Sequence, residues 1–463
     1  MTESSQDKNI RIMTYSEVAE VKGFVGNFEI TIRRKPRYID ETKCTGCGEC
    51  IEKCPTKAAN EWDLGLGIRK AIYTPFSQAV PNVPVIDPEI CRYFTKGKCR
   101  VCSKVCQAKA VDYDQKDEFI TEKFGTIIVA TGFDQFDTSV YGEYGGGRFK
   151  DVITGLHLER MLEPSGPTGG HVIRPSNNQE AKRVVFVQCA GSRDEAKGMP
   201  YCSRICCMYT AKHAILLKDH VPDSQSYIFY IDIRTAGKNY EEFYKKAQRE
   251  AGAIYIRGRV SKIYEKGDQL VVRGADTLTG EQIEVEADLV VLAAAAVPQE
   301  GAKELAKILN IPCDDYGFFT EAHPKLQPVE SVTKGIYVAG SCQFPKDVPD
   351  SVAMAGAATI KACAILSQDE LIIDPKIAYV APELCSGCLD CLEVCPFDAI
   401  KAEVVNGRRV ASIVQSLCHG CGNCAAVCRT KAANVRGFSD DQIYAQISAP
   451  FSAIEETNVE GAQ

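Results

Sequence analysis

The 463-residue chain is 45% hydrophobic and 25% charged, a composition of folded globular proteins with length for about three domains. Its opening MTESSQDKNIR has no apolar run for a secretory leader, its longest apolar stretch, Leu289 to Val297, is too short to cross a bilayer, and a formal charge of −7 argues against nucleic acid. In the cytoplasm that this implies, disulfides would not persist at the density of 23 cysteines, so metal ligation is the main use left for the sulfur.

In chain order, the strand-like run RYID leads into Cys44-Thr-Gly-Cys47-Gly-Glu-Cys50-x3-Cys54-Pro55, the C-x2-C-x2-C-x3-C-P run of bacterial-type ferredoxins. Three cysteines of such a run wrap one 4Fe-4S cluster, and the fourth, at the start of a helix, reaches the other. A second run follows, Cys91-x7-Cys99-x2-Cys102-x3-Cys106. The crossover rule therefore groups Cys44, Cys47, Cys50 and Cys106 around one cluster and Cys91, Cys99, Cys102 and Cys54 around the next. Structural zinc also uses C-x2-C pairs, but it takes four ligands in two pairs, not triplets with a distant fourth and a proline. The loop from Cys91 to Cys99 is five residues longer than its later counterpart; it is either a neutral insertion or one that tunes a potential or admits a partner.

The middle of the chain has another rhythm. GTIIVATGF, RVVFVQC, SYIFYIDI, AIYIRGRV, ADLVVLAAA and GIYVAGS are apolar, β-branched runs, several alternating with amphipathic helices such as NYEEFYKKAQREAG, which is the pattern of α/β nucleotide domains. EPSGPTGGHVIRPSNNQE, residues 163–180, reads as a linker between two such units. A less standard constellation comprises Cys189, at the end of RVVFVQC, and Cys202-Ser-Arg-Ile-Cys206-Cys207. Cys202 and Cys206 share a helix face if the segment to Asp219 is helical. The turn CAGSRDEAKGMPY lacks GxGxxG spacing, and an anionic cluster there would gain from the helix dipole as a phosphate does. The alternative is a set of buried free thiols with a reactive Cys206-Cys207 pair. Cys313, Cys342 and Cys363 stand alone, as core or near-flavin thiols.

After the run IAYV, Cys385, Cys388, Cys391, Cys395 and Pro396 repeat the first spacing, and Cys418, Cys421, Cys424 and Cys428 follow, an internal duplication. Crossover groups Cys385, Cys388, Cys391 and Cys428, and then Cys418, Cys421, Cys424 and Cys395. The tail SDDQIYAQISAPF has the pattern of one short amphipathic helix.

YCSRICCMYTAKHA, FYIDIRTAGKNYEEFY, EAHPKLQP and FPKDVPDSVA, set between two two-cluster modules, resemble the A subunit of heterodisulfide reductase, the flavin-containing hub of electron-bifurcating complexes. The resemblance runs from about Asn9 to the tail. It implies a truncated thioredoxin-reductase-like α/β fold with two dinucleotide-type domains, and two α+β bacterial-type ferredoxin domains, one inserted and one C-terminal. The implied boundaries are 1–36 for a partial FAD-type domain, 37–115 for the inserted ferredoxin, 116–180 for the FAD-type continuation and linker, and 181–300 for a second nucleotide-type domain bearing the cysteine cluster. The FAD-type return at 301–374, the C-terminal ferredoxin at 375–440 and a tail at 441–463 complete the division. In the family, the cysteines matching Cys189, Cys202, Cys206 and Cys207 ligate a cluster near the flavin, which makes five 4Fe-4S clusters.

Family members begin with a further cluster-bearing region and a glycine-rich βαβ for the ADP part of FAD. This sequence starts after both, and GLGIRK and GGGRFK miss the GxGxxG spacing. The flavin contacts that the resemblance still implies are Thr131 and Gly132 after GTIIVATGF, Gly340, Ser341 and Cys342 where such flavoproteins usually read AGD, and Lys346, Asp347, Ser351 and Val352 around a helix start near Pro349.

The expectation is an electron-transfer subunit of a cytoplasmic heterodisulfide-reductase-like oxidoreductase complex, sharing FAD with a second chain that supplies the ADP-binding lobe. Its expected partners are heterodisulfide reductase B- and C-like subunits, a small iron-sulfur hydrogenase-delta-like or other electron-input subunit, and ferredoxin, with no nucleic acid and no direct membrane insertion. If the flavin splits electron pairs, one electron goes to a low-potential ferredoxin and the other to a disulfide-type acceptor. The alternatives are a flavin-free iron-sulfur wire in a quinone-linked or aromatic-thioester-reducing complex, and a scaffold whose clusters only hold the fold.

Overall fold

The computed structural model describes residues 2–372 and 375–459; the expected boundary at 374/375 and the last four residues of the expected tail lie outside them. After a short helix, Thr2–Gln6, comes a hairpin, Ser16–Phe24 and Asn27–Arg34, to which Glu118–Phe124 adds a third antiparallel strand. Arg34 stands opposite Glu118. The first cysteine-rich module thus leaves and re-enters the sheet at paired positions, and it is closed at its neck by the bridge between Ile39 and Val111. That bridge is all the β structure RYID makes, whereas the equivalent run near Cys385 forms the strand Ala378–Val380, paired with Ala433–Val435.

Ile127–Val129 and Ile336–Val338, the cores of GTIIVATGF and GIYVAGS, form a two-stranded parallel sheet. Val129 and Val338 pack with Phe28, Phe319 and Cys342. The helix Val348–Leu366 follows, capped by Asp347, whose carboxylate accepts from the Asp350 amide at 2.9 Å. By length and composition alone, at a mean hydropathy of 1.2, this helix could cross a bilayer; Asp350 and Lys361 interrupt its apolar run, so Leu289 to Val297 remains the longest uninterrupted apolar stretch. Met354, Ala358, Ala362 and Ile365 pack inward, while Val348, Val352 and Ile360 on the other side are 75%, 65% and 70% exposed.

The second unit is a five-stranded parallel sheet in the order Val152–Thr154, Leu289–Ala294, Arg183–Ala190, Gln225–Tyr230, Ile254–Arg257. Its central strands are near-continuous apolar runs because both faces are covered. Leu158 and Leu217, from the helices Gly155–Leu162 and Cys206–His220, cover one face; the antiparallel strands Val260–Lys266, Gln269–Ala275 and Gln282–Ala287 cover the other.

The edge strand Val152–Thr154 places the start of this unit well before residue 181, so residues 163–180 are a loop inside it and not a linker. Arg174 is 7% exposed; it donates to Asp151 at 3.0 Å and to Asp268 at 3.1 Å, and Ser176 Oγ donates to Asp151 at 2.7 Å. Proline, glycine and asparagine here mark turns, and a buried ion pair pins them. The last helix, Asp440–Val459, runs past the expected SDDQIYAQISAPF and through Pro450.

Candidate metal centres

The first module brings its cysteines together in crossed sets. Cys44, Cys47, Cys50 and Cys106 line one cavity of about 110 Å³, and Cys54, Cys91, Cys99 and Cys102 line another. Two tight turns shape the first loop, with Gly46 at φ 69° and Gly48 at φ 79°; a Cβ at Gly46 would come within 2.8 Å of the Asn82 carbonyl oxygen. Adjacent short helices, Glu49–Glu52 and Val101–Val105, carry Cys50 and Cys102 toward one another. In the C-terminal module Cys395, Cys418, Cys421 and Cys424 line a third cavity, while Cys385, Cys388 and Cys428 lie near Cys391.

Burial, aided by the neighbouring thiols, pushes Cys50 and Cys424 each up to about 11. As bare thiols they would hold their protons at neutral pH, so four adjacent thiolates need a cationic core. Backbone amides already point at the sulfurs: Ala110 N–H donates to Cys106 at 3.3 Å, Ala378 to Cys418 at 3.2 Å, and Ala433 to Cys428 at 3.4 Å. The Tyr113 hydroxyl lies 3.0 Å from Cys102 Sγ. Among the described residues no three Cys, His, Asp or Glu side chains close to the spacing of a single-ion site. These donor sets, wrapped around cavities and hydrogen-bonded from outside, fit an iron-sulfur group.

The middle constellation differs from the helical expectation. Cys202 is not on the helix, which begins at Cys206. Arg204 sits at φ 61°, a left-handed break that keeps 202–205 a loop, with the Arg204 amide donating to Cys202 Sγ at 3.3 Å. A strand end (Cys189), a loop (Cys202) and a helix N-terminus (Cys206, Cys207) therefore meet. Hydrogen bonding to Cys206 draws down Cys189 and takes Cys207 to about 7, and pushes Cys206 itself well up. Arg193, which pairs with Asp232 at 2.6 Å, stands near both Cys189 and Cys202, and Arg234 near Cys207.

Strand alternation puts Gln188 on the sheet face of Val184 and Phe186, beside Ala293, which packs against Cys206 and Cys207. Gln188 is 7% exposed, and neither its amide nitrogen nor its oxygen has a partner; the buried Tyr209 hydroxyl has none either. Such orphaned donors beside converging thiols, within a cationic rim, fit an anionic group held there. Cysteine spacing could not single out Gln188, Tyr209, Arg193 or Arg234, because strand pairing brings them in. Of the lone cysteines, Cys313 is half-buried and Cys363 exposed.

At the parallel strand pair, the Thr131 hydroxyl is buried without a partner, and Gly132, at φ 80°, has open space where a Cβ would stand. A Cβ at Gly340 would lie 3.6 Å from Ser351 Oγ. Ser341 donates to the Lys346 carbonyl at 3.3 Å. Burial and the nearby Arg204 lower the Lys346 ammonium. Arg204 also pairs with Asp350 at 2.7 Å, and Tyr240 donates to Asp347 at 2.8 Å, joining the thiol site to the helix start that bears Ser351 and Val352. Of the two readings of Cys342, core thiol or flavin contact, its surroundings favour the first: it is 3% exposed, with its thiol directed at the Val129 and Ala339 carbonyls at 3.2 Å. An orphaned hydroxyl and an open glycine beside a capped helix start fit a dinucleotide cofactor.

Residues 378–432 match the family model of a 4Fe-4S dicluster domain, and residues 37–59 that of a 4Fe-4S binding domain. The A subunit of the H(2):CoB-CoM heterodisulfide,ferredoxin reductase of Methanothermobacter marburgensis is 48% identical over 87% of this chain and 60% of its own length. The iron-sulfur A subunit of the CoB–CoM heterodisulfide reductase of Methanocaldococcus jannaschii is 48% identical over 98% of this chain and 68% of its own. The first of two such iron-sulfur A subunits from Methanopyrus kandleri is 49% identical over 99% and 69%. The chain thus spans 60% to 69% of the length of these relatives. Among solved structures, T. acidophilum thioredoxin reductase matches 54% of this chain and 70% of its own, at 16% identity and a TM-score of 0.35. Near-half identity along 98% to 99% of its length, together with ferredoxin-type cluster domains near both ends, means that the chain belongs to the family of heterodisulfide reductase A subunits.

Proposed function

We propose that this chain is the electron-relaying iron-sulfur subunit of a cytoplasmic heterodisulfide-reductase-like complex, holding five 4Fe-4S clusters. The four-thiol lining of one cavity by Cys44, Cys47, Cys50 and Cys106, beside a second lined by Cys54, Cys91, Cys99 and Cys102, carries the reading. In the C-terminal module the crossed sets Cys385, Cys388, Cys391, Cys428 and Cys395, Cys418, Cys421, Cys424 hold two more, and Cys189, Cys202, Cys206 and Cys207 hold the fifth. Exposed Cys47, Cys388 and Cys421 leave clusters close to solvent, where electrons enter and leave.

Thr131, Gly132, Gly340, Ser341, Lys346, Asp347, Ser351 and Val352 hold FAD jointly with a partner chain that supplies its ADP-binding lobe. FAD, when bound, supplies the exchange between one-electron and two-electron transfer. Lys346 offers a cation to the reduced flavin, the amides after Asp347 add a helix N-terminus, and the Arg204–Asp350 pair holds that start against the Cys189 site. Two observations support the docking of such a lobe here: among the described residues the edge of Ile127–Val129 away from Ile336–Val338 is unpaired, and the helix Val348–Leu366 exposes its apolar side. B- and C-like subunits, ferredoxin and a small iron-sulfur protein for electron input complete the complex, without membrane insertion or nucleic acid; electron bifurcation at the flavin belongs to the same proposal.

The test is iron counting with electron paramagnetic resonance during reductive titration. Anaerobically purified chain should hold about twenty iron atoms in clusters that change redox state. Cys206→Ser should remove about four of them and Cys363→Ser none. Stoichiometric zinc with little iron, or equal loss from both variants, would sink the assignment.

A further inference from the structure

The longer second run of the inserted module, from Cys91 to Ala110, carries Arg92, Lys96, Lys98, Arg100, Lys104 and Lys109 and no acidic residue. All six are exposed. The module's ion pairs, Arg37–Glu41, Lys43–Asp40, Lys53–Glu52 and Arg69 with Glu61 and Asp87, lie outside this run, so among the described residues none of the six has a carboxylate partner. Cluster binding does not require this charge: the equivalent run from Cys418 to Lys431 carries only Arg429 and Lys431. In a chain of net charge −7, such a concentration of unpaired cations is a local field that attracts anionic partners.

The cations surround a redox site. Cys91, Cys99 and Cys102 line the second cavity, and Cys99, at φ 111°, is held in the loop between Lys98 and Arg100. Arg100 lies over the Tyr93 ring at 5.1 Å, Tyr93 stacks on Tyr113 at 4.0 Å, and the Tyr113 hydroxyl is 3.0 Å from Cys102 Sγ. One continuous set of contacts thus joins the charged rim to a thiol of the site.

We infer that this rim is the docking surface for an acidic one-electron carrier protein of the ferredoxin class, which exchanges electrons with the cluster held by Cys54, Cys91, Cys99 and Cys102. The inference rests on the electron-relay reading above. In the step the reduced carrier loses one electron and the cluster gains it; no bond forms or breaks and no proton moves. Carriers of this kind use small, transient interfaces, so opposite charge supplies encounter rate and orientation more than lasting affinity. The seven residues between Cys91 and Cys99, which a cluster does not need, serve to carry Lys96 and Lys98 outward.

The experiment uses the full cluster-loaded chain and a purified two-cluster ferredoxin of net negative charge, reduced beforehand and mixed by stopped flow across a range of salt. Lys96→Glu/Lys98→Glu/Arg100→Glu is compared with wild type and with Lys262→Glu, an exposed position on a strand of the second unit. The triple variant should lose at least about tenfold in second-order rate at low salt and most of its salt dependence. Lys262→Glu should match wild type, and reduction by a zwitterionic viologen and the iron content should be the same in all three. A ferredoxin rate and salt dependence in the triple variant within about twofold of wild type would overturn the inference. Loss of binding to duplex DNA or phosphatidylserine vesicles with an unchanged ferredoxin rate would overturn it too and give the rim to a polyanion. Clusters that even the viologen cannot reduce would instead sink the electron-relay reading itself, a result visible before ferredoxin is added.

Discussion

Replacing Val352 and Ile360 together by aspartate separates the fold of this chain from its assembly. Both side chains lie on the outward side of the helix Val348–Leu366, 65% and 70% exposed. Full burial of a valine or isoleucine side chain is worth about 1.5–3 kcal/mol. Scaled by the surface each still exposes, docking of a nucleotide lobe on this side gains about 1–2 kcal/mol per residue, or about 2–4 kcal/mol for both. That corresponds to between one and three orders of magnitude in affinity, before the cost of desolvating the new carboxylates. The isolated chain, by contrast, should change by no more than about 0.5 kcal/mol, as exposed substitutions usually do. Chemical unfolding of the chain alone reads the second quantity, and FAD per copy of this chain in the purified complex reads the first. Wild-type chain alone should retain little flavin, the wild-type complex should retain FAD, and the double variant should pull down less partner and less flavin. A variant complex with full flavin, or an isolated variant destabilised by more than about 1 kcal/mol, would refute the reasoning; the second result would mean that the chain covers this side itself.

Arg174→Ala removes the counter-charge of Asp151, whose side chain is 7% exposed. It should cost about 3 kcal/mol in denaturant unfolding, at the lower end for a broken buried pair because Ser176 still bonds the carboxylate. A change below about 0.5 kcal/mol would return residues 163–180 to linker status. His213, 1% exposed, has Nε2 at 2.6 Å from Glu159 and a buried Nδ1 without a partner, so the neutral ring donates from Nε2. Burial lowers its affinity for a proton despite the carboxylate. Below its ordinary value near 6.5 the unfolded chain therefore binds a proton that the folded chain does not, and stability should fall as pH drops below that point. Glu159, hydrogen-bonded by His213 and then Lys212 and so held at about 2, keeps its contribution above its unfolded value near 4.5 and loses it as pH falls toward about 2. His213→Gln should flatten the first limb of a stability profile between pH 7 and 5 and leave the second; an unchanged first limb would refute the assignment.

The ferredoxin modules were legible in sequence because the determinants are local. A cubane's ligands recur within a few residues, and the crossover is set by a short helix that carries the third cysteine and ends just before the fourth, as Glu49–Glu52 and Asp390–Glu393 do, where the fourth had been expected to begin a helix. Cys44 and Cys106, far apart in the chain, were grouped on spacing alone, and they line one cavity. The α/β rhythm was legible for a similar reason, since strands buried on both faces must be apolar whatever surrounds them.

What the sequence by itself determined is therefore the set of short-range patterns: cysteine runs, apolar strands, and a helix start near Pro349. Only the tertiary structure decided the rest. Pairing of Val152–Thr154 with Leu289–Ala294 moved a domain edge and turned a turn-rich segment into a pinned loop. A left-handed residue at Arg204 took Cys202 off the helix that spacing suggested. Strand alternation put Gln188 on the sheet face of Val184 and Phe186, and the approach of Cys342 to Val129 spent its thiol in the core. Each of these depends on contacts between residues distant in the chain. Such contacts leave no periodic trace in composition, because many sequences satisfy the same strand pairing and only the folded backbone settles which polar group it leaves alone.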